Sequence, residues 1–129
     1  MANIKQYTLT NASKDWTVVV EVNHDVLTAE LATEINEFWS GEHHRIIRAR
    51  GDVVRAVITL AAENAVYCFL EEGGAFFEEQ EESTSLWWTR KIHEREGWGG
   101  MLEGTVFGSS GIRLISADVD AEPALEFTE

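Results

Sequence analysis

The stretch Asp52–Leu70, DVVRAVITLAAENAVYCFL, decides the fold. It contains no Gly and no Pro. Val54, Val57, Ile58, Ala61, Ala65, Cys68 and Phe69 recur at helical spacing and form one apolar stripe. Val53, Leu60, Val66 and Leu70 widen that stripe beyond what a surface helix carries, leaving Arg55, Thr59, Glu63 and Asn64 for water. A helix of this length is roughly 30 Å long, the width of a small domain. The spacing predicts a central helix, capped by Asp52, stopped by Gly73-Gly74 and covered on most of its circumference.

Upstream, Lys5–Thr10 alternates, with Tyr7 and Leu9 on one face. Asn11–Asp15 is a turn cluster, and Trp16–Val22 alternates again, with Trp16, Val18, Val20 and Val22 facing the core. Two such runs joined by a short polar loop predict an antiparallel hairpin. Thr28 is an N-cap for a helix over Ala29–Trp39, whose stripe is Leu31, Ile35, Phe38 and Trp39. Glu42–Arg50 is basic and reads as a short helical turn with Ile46 and Ile47 tucked inward.

Downstream, residues 75–85 read as a loop or helical turn, with Phe76-Phe77 packed back on the core. Ser85 is placed as the cap of a helix over Leu86–Arg95. Residues 97–111 hold six Gly and predict an irregular, mobile loop. Ile112–Val119 is the third clear strand, with Ile112 and Leu114 on one face. Leu125 and Phe127 alternate in the acidic tail, residues 120–129, and suggest a short edge strand around Pro123. The expected fold class is α+β: a small antiparallel sheet, made of the N-terminal hairpin plus the C-terminal strand, packed on one face by about three helices.

The 129 residues make one domain, residues 1–129, large enough to fold without metals or disulfides. The single cysteine, Cys68, lies on the apolar face of the central helix and reads as a buried, inert thiol. A chain without a disulfide framework suits a reducing compartment. MANIKQYTLT is too polar for a signal peptide, and no run reads as a membrane span, so the expectation is a cytoplasmic protein that binds no membrane.

Charge is the strongest compositional feature. There are 23 Asp and Glu against 10 Lys and Arg, a formal net charge of −13. That disfavours direct binding to nucleic acid and favours a basic protein partner. Residues 71–82 hold six Glu and no base, whereas the bases concentrate in Arg45–Arg55 and Arg90–Arg95.

Sites for chemistry are sparse. Glu42-His43-His44, His24-Asp25 and His93 lack metal-ligand spacing, so no metal and no cofactor is expected. The segment GWGGMLEGTVFGSSG lacks the P-loop ending and follows no βαβ strand. Ser109-Ser110 has no nucleophile elbow and no assigned base, so no catalytic residue is expected. Trp87-Trp88 lie about 100° apart on a helix, so one should be partly exposed, and Trp98 in the Gly-rich loop reads as another exposed ring. Such rings suit interface anchors.

The stretches VEVNHDVLTAELATEINEFWS, GDVVRAVITLAA, EREGW and GIRLISADVD resemble a small bacterial domain family of unknown function. The resemblance covers residues 15–65 and 94–120, and its most specific part is Glu34–Ser40 after His24-Asp25. That family occurs in bacterial chromosomes and on phage-like and conjugative elements, and it carries over no catalytic residue. The resemblance implies a mobile-element protein with an anti-defence role.

These features predict a non-enzymatic acidic binding protein: an inhibitor of the anti-CRISPR or nucleic-acid-mimic kind, docking on a basic surface of a nucleic-acid-handling complex. Its contact residues would be Glu71, Glu72, Glu78, Glu79, Glu81 and Glu82, with Trp87, Trp88 and Trp98 as anchors. The alternative is a housekeeping assembly module that forms a homodimer through exposed Trp or an edge strand. A small hydrolase or metal enzyme is the third reading.

Overall fold

The computed structural model describes residues 3–120 and 127–128. In chain order the elements are strands β1 (Ile4–Asn11) and β2 (Trp16–Asn23), helices α1 (Ala29–Phe38), α2 (Glu42–Arg48) and α3 (Val53–Glu71), strand β3 (Gly74–Phe77), helix α4 (Glu82–His93) and strand β4 (Ile112–Asp120). The strands form one antiparallel sheet in the order β1-β2-β4-β3, so the fold is α+β.

α3 is the helix that Asp52–Leu70 predicts. The Asp52 carboxylate accepts the N–H groups of Val54 and Arg55 at 3.1 and 3.2 Å, satisfying two donors of the first turn. Gly73, at φ +87°, turns the chain out at the other end. Ala56, Val57, Ile58, Leu60, Ala61, Ala62, Ala65, Cys68 and Phe69 are buried. Asn64, expected in water, is buried as well, and its amide donates to the Leu60 carbonyl at 2.9 Å. By length and hydropathy α3 would also pass as a membrane span, but here it is the core helix. Its open stripe is Thr59, Glu63, Val66, Tyr67 and Leu70.

The expected hairpin forms, with Leu9 opposite Val18 and Tyr7 opposite Val20. Val18, Val20 and Val22 join Ile112, Leu114, Ala117 and Val119 under α3 and α4. Among the described residues no helix covers the opposite sheet face. The β2–β4 register shifts between Val19 and Val20, leaving Ile115 as the extra residue of a bulge.

α1 starts on Thr28, whose hydroxyl accepts the Leu31 N–H at 3.3 Å. Its end is closed by Arg45 of α2. The Arg45 guanidinium donates to the Asn36 side chain at 2.7 Å and to the carbonyls of Asn36, Trp39 and Ser40 at 2.7–2.8 Å. Five donors in a planar fork suit three helix-end carbonyls and an amide at once. Two expectations fail on this side: Phe38 is half-exposed, and Ile47 is 73% exposed, because Arg45 and Ile46 occupy the inward side of the short α2.

Residues 74–77 form strand β3 where a loop or helical turn was expected. Gly74 pairs with Asp120 and Phe77 with Ala117, so β3 completes the sheet beyond β4. The helix after it begins at Glu82, and Ser85 lies inside it. The Ser85 hydroxyl does not cap: it donates to the Leu114 carbonyl, while Thr89 Oγ1 donates to the Ser85 carbonyl at 2.8 Å and accepts the Leu114 N–H at 2.9 Å. β3 is too short to reach Leu114, and the two hydroxyls of α4 take its place. The tail strand expected around Pro123 and Leu125 falls outside the described residues.

Candidate docking surface

The six Glu of residues 71–82 do not form one patch. Glu71 and Glu72 end α3, and β3, at about 3.3 Å per residue, carries the chain away from them before Glu78 begins. α4 then runs back, bringing Lys91 to Glu72 at 3.0 Å and Arg95 to Glu71 at 3.3 Å. Both pairs lie near the α4 C-terminus, where the helix dipole favours cations. Arg95 also donates to the buried Cys68 sulfur at 2.8 Å. That hydrogen bond, reinforced by the Glu71 carboxylate, holds the guanidinium above its ordinary value.

Glu78, Glu79, Glu81 and Glu82 sit together at the other end, in the turn from β3 into α4 and in its first turn. Glu81 closes the turn by accepting the Glu78 N–H at 2.8 Å, and Gln80 donates to Glu78 at 2.7 Å. Among the described residues no base pairs with any of these four carboxylates. The α4 N-terminus stabilises negative charge placed there.

Beside them the uncovered sheet face carries Phe76. Phe76 pairs with Asp118, and Asp118 with Thr17, so the three stand side by side across three strands. Phe76 is 70% exposed, whereas Phe77, on the opposite face, is buried against Phe69. A shallow depression of about 220 Å³ lies between Phe76, Glu78, Glu79, Asp118 and Thr17. An apolar ring flanked by carboxylates suits the aliphatic stem and charged head of Lys or Arg.

The three tryptophans separate. Trp87 is 48% exposed, with Lys91 5.0 Å from its ring centroid. Trp88 is buried edge-on to Phe69 at 4.6 Å. Trp98, expected to be exposed, is 2% exposed and lies between Trp39 and His93, at 6.5 and 5.9 Å. Its glycine neighbours let the loop fold back over it: Gly100 N–H reaches the His93 carbonyl at 2.8 Å, and Ser109 N–H reaches the Gly100 carbonyl at 2.9 Å.

One arrangement was not legible in the sequence. His93 and Ser110 meet as a buried pair, Nε2 to Oγ at 2.7 Å, with His93 Nδ1 on the Thr89 carbonyl at 2.8 Å. This is the spacing of a serine–base pair, but both side chains are only 1% exposed, closed off from any substrate in this structure. Burial pushes the His93 imidazole below its ordinary value, toward the neutral form that accepts from Ser110. His24 bonds Tyr7 at 2.8 Å, and His43 and His44 face solvent. Among the described residues no three His, Cys, Asp or Glu come together as a metal site.

A larger groove of about 1060 Å³ follows the open stripe of α3, walled by Leu9 and Trp16 of the hairpin and by Trp39 and Arg48.

Two relatives share 37% identity with this chain over 68 residues: protein ea10 of Escherichia phage lambda and a lambda prophage-derived protein ea10 of Escherichia coli O6:H1 (strain CFT073). The match covers 51% of this chain and 52% of each relative, so the chain spans about half the length of the curated relatives it matches. No solved structure matches. A family model described as protein of unknown function (DUF2528) matches residues 17–124, and the chain therefore belongs to that family.

Proposed function

We propose that this protein is a non-enzymatic docking protein that presents its β3–α4 corner to a basic surface of a nucleic-acid-handling complex and blocks it. One observation carries the reading. Glu78, Glu79, Glu81 and Glu82 have no basic partner among the described residues and lie beside the exposed Phe76, in a chain of net charge −13. Elsewhere the acids of residues 71–82 are paired at home. Carboxylates arrayed on a rigid turn substitute for phosphates in a basic groove, and the ring fills an apolar notch. The phage and prophage origin of the relatives fits an anti-defence role.

Glu78, Glu79, Glu81, Glu82, Phe76 and Trp87 are the contact residues in this reading. Glu71 and Glu72 hold α4, and Trp88 and Trp98 hold the core. The test is a set of charge reversals. Changing Glu78, Glu79, Glu81 and Glu82 to Lys abolishes capture of the partner, whereas Glu71→Gln with Glu72→Gln leaves it intact. Equal capture by both sets excludes the corner.

A further inference from the structure

We propose that the free edge of β1 pairs with β1 of a second copy, antiparallel about Thr8, joining two four-stranded sheets into one of eight strands. Among the described residues no strand lies beyond β1, which ends the order β1-β2-β4-β3. It is eight residues long, pairs with β2 without a break in register and carries one Lys, no Pro and no bulge. Edges that are meant to stay single are protected by such features.

The hydrogen-bond phase identifies the free groups. His24 N–H donates to the Asn3 carbonyl at 2.8 Å, so the odd residues of β1 bond toward β2. By alternation, the N–H and C=O of Ile4, Gln6, Thr8 and Thr10 point outward. A two-fold axis at Thr8 sets Thr8 opposite Thr8 of the second copy and Gln6 opposite its Thr10. These are hydrogen-bonded pairs, about six backbone bonds in all. Tyr7 then meets Leu9 of the second copy in close, non-hydrogen-bonded pairs on the groove side. Aromatic–aliphatic pairs of this kind favour the sheet.

Charge selects a second copy as the occupant. β1 carries no acid in a chain of net charge −13, so two copies meet at a non-acidic edge. Each of its ends is close to neutral, with Lys5 near Asp25 at the start of the strand and Lys14 next to Asp15 in the turn after it. Lys14 lies in the turn after Asn11, and the Asp25 carboxylate accepts the Asn3 N–H at 3.1 Å at the start of the strand. The surface lies on the opposite edge of the sheet from β3, so the inference stands apart from the acidic corner.

The experiment is light scattering over a concentration series on the full chain, with Thr8→Pro and Thr8→Ala. Proline removes the outward N–H of Thr8 and is tolerated on an edge strand, whereas alanine keeps the backbone bonds. The expected result is a concentration-dependent dimer, weakened about tenfold or more by Thr8→Pro and within about twofold of wild type in Thr8→Ala. Gln6→Pro serves the same purpose should Thr8→Pro fail to fold. Raising salt should not dissolve the dimer, since screening relieves repulsion between two acidic bodies. A wild-type protein still monomeric at about 1 mM overturns the proposal. So does a dimer indifferent to both proline variants, or an edge filled only by an unrelated extended peptide.

Discussion

His93 Nε2 lies 2.7 Å from Ser110 Oγ while His93 Nδ1 lies 2.8 Å from the Thr89 carbonyl oxygen. A carbonyl only accepts, so Nδ1 carries the proton and Nε2 takes the serine hydroxyl. The pair fastens the Gly-rich loop to α4, and Gly108 fits against the same ring: a Cβ there would come within 2.0 Å of it. Gly108→Ala is therefore expected to destabilise the fold severely, by about 4 kcal/mol or more. Ser110→Ala, which leaves Nε2 without its donor, should cost about 1–3 kcal/mol. Urea unfolding measures both.

The same contact sets a pH dependence. Burial holds His93 below its ordinary value of 6.5, so the unfolded chain takes up the proton first as pH falls. The stability from the neutral ring is complete above about pH 6.5 and is lost as pH drops from there through the folded value. Thr89, Trp98, Gly108 and Ser110 pack on the ring, and none of these four titrates. Melting curves should show an acid limb that begins as pH falls below about 6.5 and is flattened in His93→Gln. An identical limb in the variant contradicts the assignment.

The helix and hairpin were legible because their signals are local. α3 needs only an uninterrupted apolar period and Asp52, and the hairpin needs only alternation around a polar turn. β3 was not legible. Gly73-Gly74 reads as a breaker, and Phe76 and Phe77 point to opposite faces, which shows only once Asp118 and Ala117 of β4 lie opposite them. Trp98 was misjudged for a related reason: six Gly nearby suggest an open loop, while the pocket between Trp39 and His93 is tertiary. In the candidate site, a run of six Glu reads as one surface. Only the strand between Glu72 and Glu78 and the return of Lys91 and Arg95 divide it.

Thr89 predicts a cost out of proportion to its size. Its hydroxyl serves Ser85 and the Leu114 N–H together, at a point that β3 does not reach. Thr89→Val keeps the shape and removes both bonds, leaving a buried N–H unpaired. The expected loss is about 1–3 kcal/mol, read from chemical denaturation.

Arg45 makes a sharper comparison. Its fork binds the Asn36 amide oxygen and three carbonyls at the end of α1. A lysine keeps the charge but cannot span these acceptors, so Arg45→Lys should cost about 2 kcal/mol. Exposed Arg48, paired with Glu63 at 3.5 Å, should lose no more than about 1 kcal/mol as Arg48→Ala.

The β3–α4 corner is tested most directly by a paired pull-down from bacterial lysate. Wild-type protein and the variant with Glu78, Glu79, Glu81 and Glu82 changed to Lys are immobilised side by side and eluted with rising salt. The predicted result is a basic nucleic-acid-handling complex held by the wild type, released at moderate salt and absent from the folded variant. The same proteins on both columns, or a partner whose retention ignores salt, would contradict it.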